Sequence, residues 1–170
     1  MFKAVLSLII ILACGGLGII KAQSYSQRHA ELEDLKDMIQ ILQTEMSYRK
    51  DPLPAVFSRI SAYKDTIAMD ILLECSLLMK QSFDFKQCWQ SAVETTCKGS
   101  CLTGEDLAIV NDLGLQLGKS DIQGQRAMFS LMDAKLQTQI KEASHEKETK
   151  GRMYRGLGFS IGIVIAVILI

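Results

Sequence analysis

A chain of 170 residues with 19 Lys and Arg balanced by 19 Asp and Glu has room for one ordinary domain, or for a smaller domain plus membrane segments. Nothing in its neutral total points to nucleic acid as a partner. Two prolines and 6% aromatic residues exclude a strand-rich chain of many tight turns, whereas abundant Leu, Ile, Met, Gln, Glu and Lys favour helix.

Residues 4–20, AVLSLIIILACGGLGII, run uncharged between Lys3 and Lys21. At about 1.5 Å per residue a helix of that length reaches roughly 25 Å, just enough for a thin bilayer. The rival reading is a cleaved export signal, because ILAC at 11–14 loosely resembles a lipoprotein processing site ending in Cys14. The apolar run continues through GGLGII beyond that cysteine, where a mature lipoprotein turns polar, so a retained span is expected.

Residues 25–49 continue as a helix, with Leu32, Leu35, Ile39, Leu42 and Met46 at three- and four-residue steps. DPLP at 51–54 breaks it, since the residue before a proline avoids helical geometry. Pro52 or Pro54 then suits the first turn of a short helix over 53–63. A third helix over 65–81 carries Ile67, Ile71, Leu72, Leu77, Leu78 and Met79; it is apolar around much of its surface and is expected at the centre. A fourth over 84–98 holds Trp89, the single tryptophan.

TGED makes Thr103 an N-cap with Glu105 and Asp106 in the first turn, where their charge suits the helix dipole. Gly118 closes that helix, and SDIQ opens the last one at Ser120 with Asp121 next to it. Ile122, Phe129, Met132, Leu136 and Ile140 then mark one stripe, and Gly151 is the one weak point before the C-terminus. The last helix is therefore expected to run roughly 50 residues, about 75 Å end to end.

Its final stretch, 156–170, is again uncharged, and Met153 and Tyr154 extend it if Arg155 snorkels to the interface. Lys21 and Arg28 come after the first apolar segment, and Lys141, Lys147, Lys150, Arg152 and Arg155 precede the second; outside them stand Lys3 and the terminal amine. The positive-inside rule places the middle in the cytoplasm and both termini across the membrane. The expected architecture is all-α: a bundle of about six helices with N- and C-terminal transmembrane helices. Its parts are an N-terminal span over 1–22, a cytoplasmic helical domain over 23–152 and a C-terminal span over 153–170. Gly15, Gly16 and Gly18 in the first span, and Gly158 and Gly162 in the second, lie at matching depth and permit close helix packing. Packing of the two spans on each other is the favoured use, and packing on a partner protein's helix is the alternative.

No catalytic set emerges. His29 and His145 are the only histidines; a metal or pH site between them competes with the simpler reading of surface histidines. Five cysteines are an odd, scattered set that fits a reducing compartment better than a disulfide framework. The C-x3-C at Cys97 and Cys101 has no second ligand pair for zinc, so Cys75, Cys88, Cys97 and Cys101 are expected to be small buried hydrophobes. GLGFSIG neither follows a strand nor opens a soluble helix, so it is no phosphate loop. KEASHEKETKGR reads as a solvated helix face beside anionic headgroups, with docking as a second use. An enzyme or a cofactor is not expected.

Four segments together carry a resemblance. Leu42, Glu45, Met46, Tyr48, Pro52, Leu53 and Pro54 form the first; Asp106, Leu117, Gly118, Ser120, Asp121 and Gln125 the second; Trp89 the third; and Tyr154, Arg155, Leu157 and Gly158 the fourth. In this order, and essentially end to end, the chain resembles the stage III sporulation protein AB family of endospore-forming bacteria; the four cysteines outside the first apolar segment depart from its pattern. The resemblance implies a helical cytoplasmic domain similar to the inner-membrane platform protein of type II secretion and type IV pilus machines. It implies a place in the channel complex joining mother cell and forespore, in the mother-cell membrane facing the forespore. The implied partners are a cytosolic AAA-type secretion ATPase and the other membrane proteins of that complex, with no nucleic acid. Ser120, Asp121, Gln125, Tyr154 and Arg155 are the expected contact residues. The competing function is an exported helical adaptor, anchored by the C-terminal span after the N-terminal segment is removed.

Overall fold

The computed structural model describes residues 2–48, 51–81, 84–117 and 122–169, without the side chains of 2–8, 122, 123, 168 and 169. These residues form six helices: α1 (Phe2–Tyr48), α2 (Leu53–Ile60), α3 (Ile67–Leu78), α4 (Phe85–Thr96), α5 (Gly104–Leu117) and α6 (Ile122–Leu169). No strand occurs among them, in agreement with the all-α expectation. The chain divides into two compact units, one of residues 1–29 with 141–170 and one of residues 30–140, so α1 and α6 supply residues to both.

The unit of residues 30–140 holds the hydrophobic core. The α1 stripe enters it as its spacing requires, with Leu32, Leu35, Ile39 and Leu42 fully buried and Met46 half-buried. Phe129, Met132 and Leu136 of α6 are buried on the same principle of 3.6-residue periodicity. The helix α3 packs against both α2 and α4, burying Ala68, Met69, Ile71, Leu72 and Cys75. Its remaining leucines are not all used, since Leu73 and Leu77 stay about two-fifths exposed, at 42% and 43%.

Local chemistry fixes the helix ends. Pro52 stands at the N-cap of α2 in extended geometry, its carbonyl accepting from the N–H groups of Ala55 and Val56. The helix stops at Ile60 rather than 63 because Ala62 and Tyr63 bond three residues back, a tightened final turn. Lys80 and Gln81 end α3 in the same way. The Asp84 side chain caps α4 by accepting from the Lys86 N–H at 3.1 Å. Past α4, Gly99 takes φ 93°, a left-handed backbone open to glycine, and Ser100 N–H closes the turn onto the Cys97 carbonyl. At the start of α5 the cap is reciprocal: Asp106 N–H donates to Thr103 Oγ1 at 3.3 Å, and Thr103 N–H donates to Asp106 Oδ2 at 2.8 Å. This is a capping box with Asp in the usual Glu position, and the Asp106 side chain is wholly buried in it.

Trp89 is the largest buried side chain, 1% exposed. Its ring lies 5.9 Å from Phe57 and 6.1 Å from Phe85, tilted to both, the arrangement that ring quadrupoles favour. Its indole N–H donates to the Val110 carbonyl at 3.0 Å, so the one polar atom of the ring is satisfied. Space for the ring comes from Gly114 on α5, where an added Cβ stands only 2.1 Å from Trp89 Cδ1. Gly114→Ala is expected to destabilise the protein by about 1–3 kcal/mol through overpacking, despite alanine's better helix propensity. Equilibrium urea denaturation followed by Trp89 fluorescence measures it; unchanged or raised stability contradicts the packing described.

Candidate functional site

The unit of residues 1–29 with 141–170 is built on a seam of small residues. Gly15, Gly18 and Ala22 on α1 are buried, as are Ala143, Gly151, Gly162 and Ala166 on α6. Backbones meet here: a Cβ added at Gly18 stands 2.6 Å from the Tyr154 carbonyl oxygen and 3.1 Å from Gly158 Cα. A Cβ at Gly158 stands 2.8 Å from the Cys14 carbonyl oxygen, and one at Gly162 stands 3.0 Å from Ile11 Cα. Residues with side chains hold helices further apart, so glycine is what permits this approach. Gly15 faces the Phe159 ring at 3.5 Å, whereas Gly16 has open space around it. The structure thus brings Gly18, Gly158 and Gly162 into the helix contact and leaves Gly16 out.

Beyond the glycines the seam turns polar. Tyr25 stacks on Tyr154 with centroids 6.0 Å apart and planes at 21°. Lys21 Nζ and Lys150 Nζ lie 5.8 and 5.9 Å from the Tyr25 centroid, within cation–π range. Burial first, and then the neighbouring Tyr154, push the Tyr25 phenol above its ordinary range. One turn further, Arg28 Nη1 donates to Glu146 Oε2 at 2.8 Å, with only 8% and 19% of the two side chains exposed. Lys150 also donates to Glu146 from one turn along α6. That hydrogen bond, with the charges of Lys150 and Arg28, holds the Glu146 carboxyl below the usual range against the opposing effect of burial.

Of the contact residues expected from the sequence, Tyr154 is in the aromatic stack and Arg155 is exposed. Gln125 is half-buried on α6, while Ser120 and Asp121 lie outside the described residues. His29 is half-buried and His145 exposed; near that level the helices are joined by Arg28 and Glu146. Among the described residues no group of three His, Cys, Asp or Glu is arranged to hold a metal. All five cysteines are free. Burial, and secondarily the Cys88 thiol, push Cys75 up to about 12, and burial raises Cys97. Such thiols stay protonated at neutral pH and are poor nucleophiles. A groove of about 810 Å³ between α4 and α5 is lined by Gln90, Glu94, Lys98 and Asn111 among others, a set without a nucleophile and base in catalytic relation.

Charge separates between the two units. Residues 1–29 with 141–170 carry eight Lys and Arg against three Asp and Glu, and residues 30–140 carry eleven against sixteen. The neutral total therefore conceals a basic unit and an acidic one. Among the described residues one helix is long and apolar enough to cross a membrane, the α1 stretch beginning at Ile9. The apolar end of α6 is shorter than the about 20 residues that an independent span takes.

Sequence patterns do not disclose the Arg28–Glu146 pair, because its members lie 118 positions apart. Glu146→Gln removes the charge that faces Arg28 and is expected to cost roughly 1–3 kcal/mol. Because the folded-state carboxyl is more acidic than the unfolded one, its contribution is present at neutral pH and fades as pH falls through the folded value. Thermal melts of the detergent-solubilised chain between pH 7 and 3 are expected to show a steeper acid loss in the wild type than in Glu146→Gln. Parallel profiles contradict this role.

The sequence profile of the family described as Stage III sporulation protein AB matches residues 3–170. The chain is 22% identical over 170 residues to the Stage III sporulation protein AB of Bacillus subtilis (strain 168), covering 99% of each chain. A solved structure titled Stage III sporulation protein AB (SpoIIIAB) superposes with a TM-score of 0.67 at 19% identity, covering 72% of this chain and 98% of that one; this likeness shows the fold. With a profile match over nearly its whole length, this chain belongs to the stage III sporulation protein AB family.

Proposed function

We propose that this chain is a non-enzymatic membrane platform of the channel complex between mother cell and forespore, and that its acidic unit docks a cytosolic AAA-type secretion ATPase. The observation that carries the reading is the family match over residues 3–170. The apolar window in α1 supports membrane attachment. So do the outward-facing Leu12, Leu17, Ile20, Phe159, Val164 and Val167, each more than half exposed. A surface of that kind is stable against lipid tails and costly against water.

In this reading residues 1–22 and 153–170 are the spans, packed through Gly18, Gly158 and Gly162, with Gly15 and Gly16 beside them. The second span is short for a bilayer crossing. The basic residues flanking both spans favour a cytoplasmic body over 23–152. Contacts to the ATPase fall on Ser120, Asp121 and Gln125 and on polar residues of the first and last soluble helices, with Tyr154 and Arg155 available to neighbouring membrane proteins. The sixteen acidic residues of the unit over 30–140 fit a basic partner surface and predict salt-sensitive association.

Pull-down of the purified ATPase by the full chain in detergent tests the docking. Binding at micromolar concentration or tighter, weakened by raising salt from about 0.1 to about 0.5 M, is expected. No binding at that concentration, with helical circular dichroism intact, contradicts it.

A further inference from the structure

We infer that the outer face of α3, centred on Leu73 and Leu77 with Asp70 and Glu74 beside them, seats a partner surface that has an apolar centre and a rim of Lys and Arg. The inference rests on the proposed docking and gives it a place, the partner surface being the ATPase's own. A helix that is apolar all round is ordinarily enclosed by its neighbours. In composition α3 is such a helix, with Asp70 and Glu74 as the two charged residues among its twelve. It packs on α2 and α4 and buries Ile71, Leu72 and Cys75 completely, yet Leu73 and Leu77 stay 42% and 43% exposed. These two leucines are four apart and stack along one face. A lone exposed leucine such as Leu131 on α6 is ordinary, whereas a stacked pair on a helix of this composition is a surface left to be covered.

Charge selects what covers it. Asp70 precedes Leu73 by three residues and Glu74 precedes Leu77 by three, so both carboxylates border the leucine stripe. Asp70 is exposed and Glu74 half-buried. Neither has an ion-pair partner among the described residues, whereas Glu45 and Asp51 are taken by Arg59, Asp34 by Lys64 and Asp112 by Lys135. The helix itself holds no basic residue, and Lys80 follows only in the turn past its C-terminal end. A partner that covers the leucines also draws water away from these two carboxylates, a cost that cations on the partner's rim offset. An anionic lipid surface repels them, and a wholly apolar partner leaves them uncompensated.

The test titrates the purified ATPase against the full chain in a neutral detergent, comparing the wild type with two variants. Leu73→Ser/Leu77→Ser removes the apolar centre and is expected to weaken binding about tenfold or more. Asp70→Lys/Glu74→Lys keeps both leucines, so it reads the face even where the serine variant folds poorly. It is expected to weaken binding and to flatten its dependence on salt, a change that a purely structural role would not produce. Leu131→Ser and Glu94→Lys, at exposed positions on other helices of the unit, are expected to bind as the wild type does. Wild-type binding that both α3 variants retain overturns the inference and leaves the docking itself standing elsewhere on the chain. Equal loss in the Leu131 and Glu94 controls overturns it as well. Absence of wild-type binding removes the docking reading and this face together. Light scattering covers the other occupant: a wild-type dimer that the serine variant dissolves overturns the inference by assigning the face to a second copy of the chain.

Discussion

The approach of α1 to α6 at Gly18 and Gly158 is the constraint on which the rest of the seam depends. Helices with ordinary side chains stand about 8–10 Å apart, and here no side chain intervenes between the two backbones. That contact fixes a register, and the register decides what meets on the polar side. Tyr25 reaches Tyr154, Arg28 reaches Glu146, and Lys150 reaches both the Tyr25 ring and Glu146. A larger residue at either glycine moves the whole series, because all of these partners ride on the same two helices.

The acidic unit is organised by a different interaction. Its aromatic centre, Trp89 with Phe57 and Phe85, joins α2 and α4, and the indole N–H ties the group to α5. Charge pairs lie outside this centre: Arg59 bridges to Glu45 and Asp51, and Lys64 to Asp34. Exposed pairs of this kind add little stability, so the fold rests on burial. The unit's excess of carboxylates bears on association instead, keeping it soluble and selecting for partners of opposite charge.

Much of this is legible in the sequence, and the exceptions share a cause. The stripes of α1 and α6, the break at DPLP and the Thr103 cap are local, each set by residues within a few positions of one another. Gly114 resembles a flaw in a helix when only its neighbours in the chain are considered, because its reason, the Trp89 ring, arrives from another helix. Asp106 is recognisable as a favourable charge in a first turn, whereas its burial depends on the reciprocal bond to Thr103. The glycines are marked by their depth in the apolar runs, yet depth alone does not separate Gly18 from Gly16, which differ by their angle around the helix. The division of charge is present in the sequence throughout, hidden by a neutral total. Only the partition of the folded chain into its two units brings it out.

The proposed role requires a helical body held at the cytoplasmic face of a membrane. Tyr48 is 86% exposed near the end of α1, so a cysteine placed there is open to a thiol reagent, whereas the native cysteines are buried or half-buried. A membrane-impermeant maleimide is applied to intact sporulating cells expressing Tyr48→Cys and to the same cells after permeabilisation, with the unsubstituted chain as background. A cytoplasmic body predicts labelling of the introduced thiol after permeabilisation alone. Labelling in intact cells contradicts that placement and puts the body across the membrane.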